Sequence, residues 1–273
     1  MTPLSLEAPA KLNLSLRVVG RRADGFHLLE SHLVLLDLAD RLLLLPGNSG
    51  LRVEGEGAAE LPLGEENLAW RGLRAGLGHA PDLVCLALEK RIPASAGLGG
   101  GSSDAAAAWR LGRASRGLMP AASEGELDEL STIGADVPFF ATGAPAARVS
   151  GIGERVDPLP AVERHVVLAH PPFGLATAEV FAELRPDEWG SGENDLLPAA
   201  LRLRPELDDL LGLVRDTGGA PSMTGSGPTI FTLADDAASA AAIAERLDRA
   251  GVRTTSTRTR TAPASIETID EET

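Results

Sequence analysis

The 273-residue sequence predicts an α+β protein of two domains. Strand-length apolar runs and Ala-rich stretches succeed one another along the chain. A glycine loop at residues 93–104 (PASAGLGGGSSD) has a strand before it and a helix after it. Pro158 and Pro160 then interrupt the pattern and mark a boundary within residues 155–164. The predicted domains are residues 1–157 and 158–261. Residues 262–273 form an acidic, Thr-rich tail without periodicity, expected to be disordered.

In chain order, residues 4–19 read as extended, with Leu12, Leu14 and Leu16 alternating against Asn13, Ser15 and Arg17. That register puts Lys11 and Asn13 on one face, where an exposed polar strand face is the ordinary reading. Residues 20–27 (GRRADGFH) form a turn with Asp24-Gly25 at its tip. Two strands, 32–38 and 41–45, are expected on either side of Ala39-Asp40, then a short strand at 51–54 and a helix at 66–77. Residues 83–88 are the strand before the glycine loop, and 104–111 the helix after it. A second helix is expected at 124–133. It leads into GADVPFF (134–140), where Asp136 stands among small and apolar residues, either as a functional acid or as a turn or cap residue. Short strands flank Gly151 and Gly153. The second half reads as a strand at 165–169, a helix at 177–184, a polar loop at 187–194 and a mainly helical stretch at 196–213. A smaller glycine loop, 223–228 (MTGSGP), precedes a strand at 229–233, a helix at 236–250 and a last strand at 252–259.

The loop at 93–104 carries the chemistry. Glycine lacks a Cβ, so backbone N–H groups there can close on an anion, and the following helix adds the positive end of its dipole. Ser102 or Ser103 can cap that helix or bind phosphate or a metal ion. A Walker A loop would require Gly-Lys-Ser/Thr, and a dinucleotide fingerprint would require a third glycine where Ser102 stands. A flexible Gly/Ser linker would lack the flanking strand and helix. The loop is read as a phosphate cradle.

Composition narrows the partners. A hydrophobic content of 44% suffices for a sizeable core, and 25 basic against 39 acidic residues give a net charge of -14, which argues against nucleic acid. A small phosphate ligand responds to local field instead. No apolar run approaches a membrane span, and the first residues lack a signal peptide's pattern, so a cytoplasmic protein is expected. The lone Cys85 fits a reducing compartment and reads as a buried structural thiol. The five histidines show no metal-ligand spacing. Only Lys11 and Lys90 among the 25 basic residues are lysine, which makes them candidates for positions that need a compact ammonium.

Three stretches in this order, 8–16 (APAKLNLSL), 93–106 (PASAGLGGGSSDAA) and 223–231 (MTGSGPTIF), resemble the three motifs of the GHMP kinases, the galacto-, homoserine, mevalonate and phosphomevalonate kinases. RRADGFHLLES (21–31), GADVPFF (134–140), GIGERV (151–156), AHP (169–171) and NDLLPAA (194–200) narrow the resemblance to the diphosphocytidyl-methylerythritol kinase family of the non-mevalonate isoprenoid pathway. The resemblance implies a domain like the second domain of ribosomal protein S5 followed by a ferredoxin-like domain, with the active site between them. It implies ATP and Mg²⁺ as cofactors, and as acceptor a small molecule bearing a cytidine diphosphate, phosphorylated to its 2-phosphate.

By that resemblance Pro93, Ala94, Ser95, Ala96, Gly97, Leu98, Gly99, Gly100, Gly101, Ser102 and Ser103 wrap the ATP phosphates, with Ser102 or Ser103 a metal ligand. Asp136 is the acid–base group and Lys11 its partner. Asn13, Phe26, His27 and Thr177 line the substrate site, and Gly225, Ser226 and Gly227 form the third glycine loop. The family commonly has Tyr-His where this chain has Phe26-His27, so ring stacking is kept and a phenolic hydrogen bond is not. Another GHMP kinase, or a silent nucleotide-binding protein, remains the competing reading. Monomer and weak homodimer both remain open.

Overall fold

A computed structural model describes residues 1–269. Its first sheet is built on a long hairpin, β1 (Leu4–Arg21) and β2 (His27–Pro46). The expected break at Ala39-Asp40 does not occur, and β2 runs straight through. Asp40 is fully buried there, and its carboxylate accepts the backbone N–H groups of Arg91 (2.5 Å) and Ile92 (2.8 Å) and pairs with Lys90. An aspartate with such partners no longer needs a turn.

Next come β3 (Gly50–Gly55), α1 (Leu68–Leu77), β4 (Val84–Lys90) and α2 (Gly100–Ser115). β4 pairs antiparallel with the second half of β2 and parallel with β3. Both helices cover one face of the sheet, and they pack close. A Cβ on Gly72 or Gly76 of α1 would run into the backbone of Ala105 or Trp109 of α2. Alanine at either glycine would cost about 1–3 kcal/mol through overpacking. The helix expected at 124–133 is shorter, a 3₁₀ turn and then α3 (Leu127–Ser131), with Ser123 and Glu126 closing a capping box. α4 (Val137–Thr142), β5 (Ala146–Gly151) and β6 (Arg155–Pro158) follow. β5 pairs with the first half of β2, and β6 with β5.

The second sheet begins at β7 (His165–His170). After it come α5 (Thr177–Glu183), α6 (Leu197–Leu203), α7 (Glu206–Asp216), β8 (Ser222–Met223), β9 (Ile230–Ala234), α8 (Ala237–Arg249) and β10 (Arg253–Arg258). The antiparallel order β10-β7-β9-β8 is that of a ferredoxin-like sheet. The stretch 196–213 forms two helices because Pro205 interrupts it. Asp236 caps α8 by accepting the N–H of Ser239 at 2.7 Å.

The tail is corrected through Ile269. β11 (Glu267–Thr268) pairs with Leu4 and Ser5 on the outer edge of β1, Ala264 is buried, and the Ile269 N–H donates to the Pro3 carbonyl at 3.0 Å. An open strand edge offers unpaired N–H and C=O groups, and two residues suffice to meet them. So short an acidic strand leaves no periodic signal. The rest of the predicted tail, 270–273, lies outside the described residues.

Candidate active site

A cleft of about 550 Å³ opens where the β4–α2 loop faces the middle of β1, the start of α4 and the 224–227 turn of the second domain. Lys11, Asn13, Pro93 through Ser102, Asp136, Thr177, Gly225 and Ser226 line it, so the structure brings most of the sequence-predicted residues together. Four stand apart from the lining: Phe26, His27, Ser103 and Gly227.

The 93–104 loop turns at Gly99, whose left-handed φ of 72° leads the chain into α2 at Gly100. Ser103 is the first residue whose N–H finds a helical partner, the Gly99 carbonyl at 2.9 Å. The amides of Gly100, Gly101 and Ser102 are therefore the unpaired donors of the first turn. Their neighbourhoods differ. A Cβ on Gly99 would meet Lys11 Cγ at 3.0 Å, and one on Gly100 would meet Ile92 Cγ2 at 3.1 Å. At Gly101 the nearest atom is Leu68 Cδ1 at 3.5 Å. Gly99 and Gly100 thus make room for protein, while Gly101 leaves the cleft side open.

Gly99, rather than a serine, occupies the N-cap, so neither serine caps α2. Ser102 faces the cleft. Ser103, turned by about 100° of helix, is buried against Ala8, Arg110 and Phe140 with its Oγ unpartnered. It drops out as a phosphate or metal ligand.

Lys11 sits on β1 with its ammonium buried. The Nζ donates to Asn13 Oδ1 at 2.5 Å and the Gly97 carbonyl at 2.9 Å, and lies 3.7 Å from Asp136 Oδ2. Burial pulls its pKa below the usual lysine value, and the charge of Asp136 offsets part of that pull. Asp136 stands at the N-cap position of α4, yet its side chain makes no capping bond and is one-third exposed to the cleft. The cap reading of this residue fails on that geometry. Asn13 is itself fixed: its Nδ2 donates to Ser31 Oγ at 2.8 Å, and its backbone N–H donates to Thr224 Oγ1 at 3.1 Å.

Lys90, the second lysine, also reaches the cleft. Its ammonium lies between the carboxylates of Asp40 on β2 and Asp104 on α2, the latter at 2.7 Å. Burial pushes the Asp104 carboxyl up to about 8 against the pull of Lys90, and one of its oxygens has no partner. The two carboxylates in turn hold the Lys90 ammonium above its usual range despite its burial. Asp40 lies in no motif, and Asp104, though it closes the 93–104 motif, was given no role there; the rarity of lysine was the one signal that pointed to this cluster.

The far wall belongs to the second domain. Thr177, the first residue of α5, shares a hydrogen bond of 2.9 Å with Ser226. His27, at the start of β2, stacks on Phe181 with ring centres 5.2 Å apart, and the Trp189 ring meets it edge-on at 5.9 Å. Phe26 sits at the hairpin tip, 60% exposed. Gly227 lies behind its turn, against Met223. Sequence reasoning missed Phe181 and Trp189, which come to His27 from more than 150 residues away and carry no local pattern.

The family profile "GHMP kinases N terminal domain" matches residues 67–144, and "GHMP kinases C terminal" matches residues 177–253. The 4-diphosphocytidyl-2-C-methyl-D-erythritol kinase of Rhodopseudomonas palustris is 37% identical over 88% of this chain and 91% of that protein. The chain belongs to the 4-diphosphocytidyl-2-C-methyl-D-erythritol kinase family of GHMP kinases. The Thermus thermophilus member is 40% identical, again over 88% of this chain and 91% of its own length. A solved structure of a 4-(cytidine 5'-diphospho)-2C-methyl-D-erythritol kinase superposes with a TM-score of 0.76 at 38% identity, covering 93% of this chain and 98% of that one. Homoserine kinase from Cytophaga hutchinsonii, at a TM-score of 0.63 and 17% identity over 98% of both chains, shares the fold. As a member of the family this chain is an ATP-dependent small-molecule kinase, and its two sheets are the N- and C-terminal domains of the GHMP kinase fold.

Proposed function

We propose that this kinase transfers the γ-phosphoryl group of ATP to a hydroxyl of 4-diphosphocytidyl-2-C-methyl-D-erythritol, giving the 2-phosphate and ADP. The Lys11–Asp136 pair, set against the 93–104 loop by the Lys11–Gly97 hydrogen bond, carries the chemical part of this reading. The kinship with enzymes of that name carries the substrate.

Phosphoryl transfer leaves a protein mainly positioning and charge stabilisation to perform. The first-turn amides of α2 hold the phosphates beside Gly101. Asp136 orients the acceptor hydroxyl and takes its proton as the oxygen bonds to phosphorus and the bond to the β-phosphate oxygen breaks. The Lys11 ammonium, already held by Asn13 and Gly97 and 3.7 Å from Asp136, meets charge on the transferring group. Mg²⁺ fits the donors on offer: Ser102 Oγ and the Asp136 carboxylate are hard oxygens at the cleft surface. Among the described residues no group of three or more His, Cys, Asp or Glu side chains could hold a metal ion, so the nucleotide's phosphates would supply most of its ligands. Bound there, the ion would neutralise phosphate charge.

At the acceptor end, Phe26 offers an open ring face for cytosine, and His27 a hydrogen-bonding edge. A stacked base is worth about 1–3 kcal/mol. A coupled kinase assay over candidate alcohols tests the assignment: the cytidine-linked tetritol should be preferred strongly over the free tetritol, mevalonate and homoserine. Phe26→Ala should raise the KM for that substrate about tenfold with the KM for ATP little changed. Efficient phosphorylation of the free tetritol, or an indifferent Phe26→Ala variant, would overturn the reading.

A further inference from the structure

Two adjacent buried side chains, Asn194 and Asp195, tie together three segments that border the acceptor wall. The Asp195 carboxylate is fully buried and bonded to main-chain N–H groups. Its Oδ2 accepts from Val18 at 2.8 Å and Gly190 at 2.6 Å, and its Oδ1 from Gly192 at 3.3 Å. Its own N–H donates to the Leu16 carbonyl at 2.9 Å, while the Leu16 N–H donates to the Glu193 carbonyl at 2.7 Å. Asn194 works on the other side. Its Nδ2 donates to the carbonyls of Met223 (2.7 Å) and Gly225 (2.9 Å), and its Oδ1 accepts the Leu196 N–H at 3.0 Å.

These bonds end on backbone that bears site residues. Gly190 follows Trp189, whose ring lies on His27. Gly225 precedes Ser226, whose hydroxyl is bonded to Thr177. Leu16 and Val18 continue the strand that carries Lys11 and Asn13. A buried carboxylate and a buried amide are costly unless every partner is in place, so such a pair holds its three segments in one arrangement.

We propose that Asn194 and Asp195 are positioning residues for the acceptor side of the cleft: together they fix the Trp189–His27 end against the Ser226–Thr177 end, and so the length of substrate the wall accepts. The inference rests on the reading that this wall takes a cytidine-diphosphate-linked alcohol.

Steady-state kinetics of full-length Asp195→Asn and Asn194→Ser, with thermal unfolding as a check on folding, test it. Calorimetry with cytidine 5'-diphosphate alone gives a binding readout independent of turnover. Each folded variant should show a KM for the cytidine-linked alcohol raised about tenfold or more, with the KM for ATP within about twofold and kcat within about threefold. Cytidine 5'-diphosphate binding should weaken in parallel. Equal rises in both KM values, a fall in kcat alone, or no change in a folded variant would overturn the proposal. Should Asp195→Asn fail to fold, Asn194→Ser decides, because it leaves the carboxylate's bonds intact. Wild-type protein that neither binds cytidine 5'-diphosphate nor turns over the linked alcohol would overturn the substrate reading, and this inference with it. Wild-type binding with unaffected variants would overturn this inference alone.

Discussion

At the scale of single residues, Asp136 and Lys11 set a carboxylate one-third exposed to the cleft against a buried ammonium. Asp136 gives up the capping bond its position invites and turns its carboxylate to the cleft. Lys11 spends its hydrogen bonds on Asn13 and Gly97, which leaves its charge in place and its direction fixed. Asp136→Asn keeps the shape and removes the base, so turnover should fall by roughly two to four orders of magnitude while ATP binding, measured by calorimetry, stays nearly unchanged. Near-normal turnover would reduce Asp136 to a spectator. Both residues were legible in the sequence because unusual chemistry stood in unusual company: an acid before Val-Pro-Phe-Phe, and a lysine in a chain that otherwise uses arginine. The residues that fix Asn13, the partner of Lys11, were not. Ser31 and Thr224 reach Asn13 from other strands and turns, and no spacing along the chain announces such a meeting. Ser103 was misread for a related reason, since a serine next to a loop looks available until the helix turn puts it inside.

Among elements, the join between β2, β4 and α2 decides how firmly the phosphate loop is seated. One ammonium, Lys90, serves two carboxylates there, and a Cβ on Gly100 would come within 3.4 Å of it. Burial makes Asp104 prefer its proton even against the pull of Lys90, with a folded pKa of about 8 against an unfolded value near 3.8. A carboxyl raised in this way contributes most below its unfolded pKa, and that contribution fades as pH climbs from about 4 through about 8. Asp104→Asn imitates the protonated form at every pH. The melting temperature of the variant, relative to wild type, should rise steadily between pH 5 and pH 9. A difference independent of pH would show that Asp104 is ionised throughout. Most elements here could be read from pattern, because strand, glycine loop and helix each write their own periodicity. Continuous β2 could not, since the partner that lets Asp40 lie in a strand is 50 residues away.

For the molecule as a whole, β1 is the thread between two cores. Leu6 and Ala8 pack under α1 and α2, while Leu16 and Val18 belong to the core of the second domain. A further junction lies where Glu56, after β3, pairs with Arg253 of β10, beside the buried His170. Burial, and then the charge of Arg253, lower the His170 pKa to about 4, with Glu56 opposing. A histidine depressed in this way stabilises the fold above its unfolded value of 6.5, and that contribution is lost as pH falls through 4. Wild type should lose stability across that window, and His170→Gln, followed by thermal unfolding, should lose less. Parallel acid curves for the two proteins would rule His170 out as the cause. The two-domain α+β plan was visible from the order of elements and the proline break. The sharing of β1 between cores was not, because an alternating strand does not say which core each residue will meet.

Both of the chain's lysines end inside the cleft, and, among the described residues, the Lys and Arg cations left at the surface are all guanidinium groups, so the Met1 α-amine is the exposed amine. A reagent that acylates amines therefore finds no exposed side chain to react with. What slow modification occurs at Lys11 or Lys90 reports directly on whether the cleft is open, and a bound nucleotide would shield both at once. The scarcity of lysine makes this kinase its own footprinting probe.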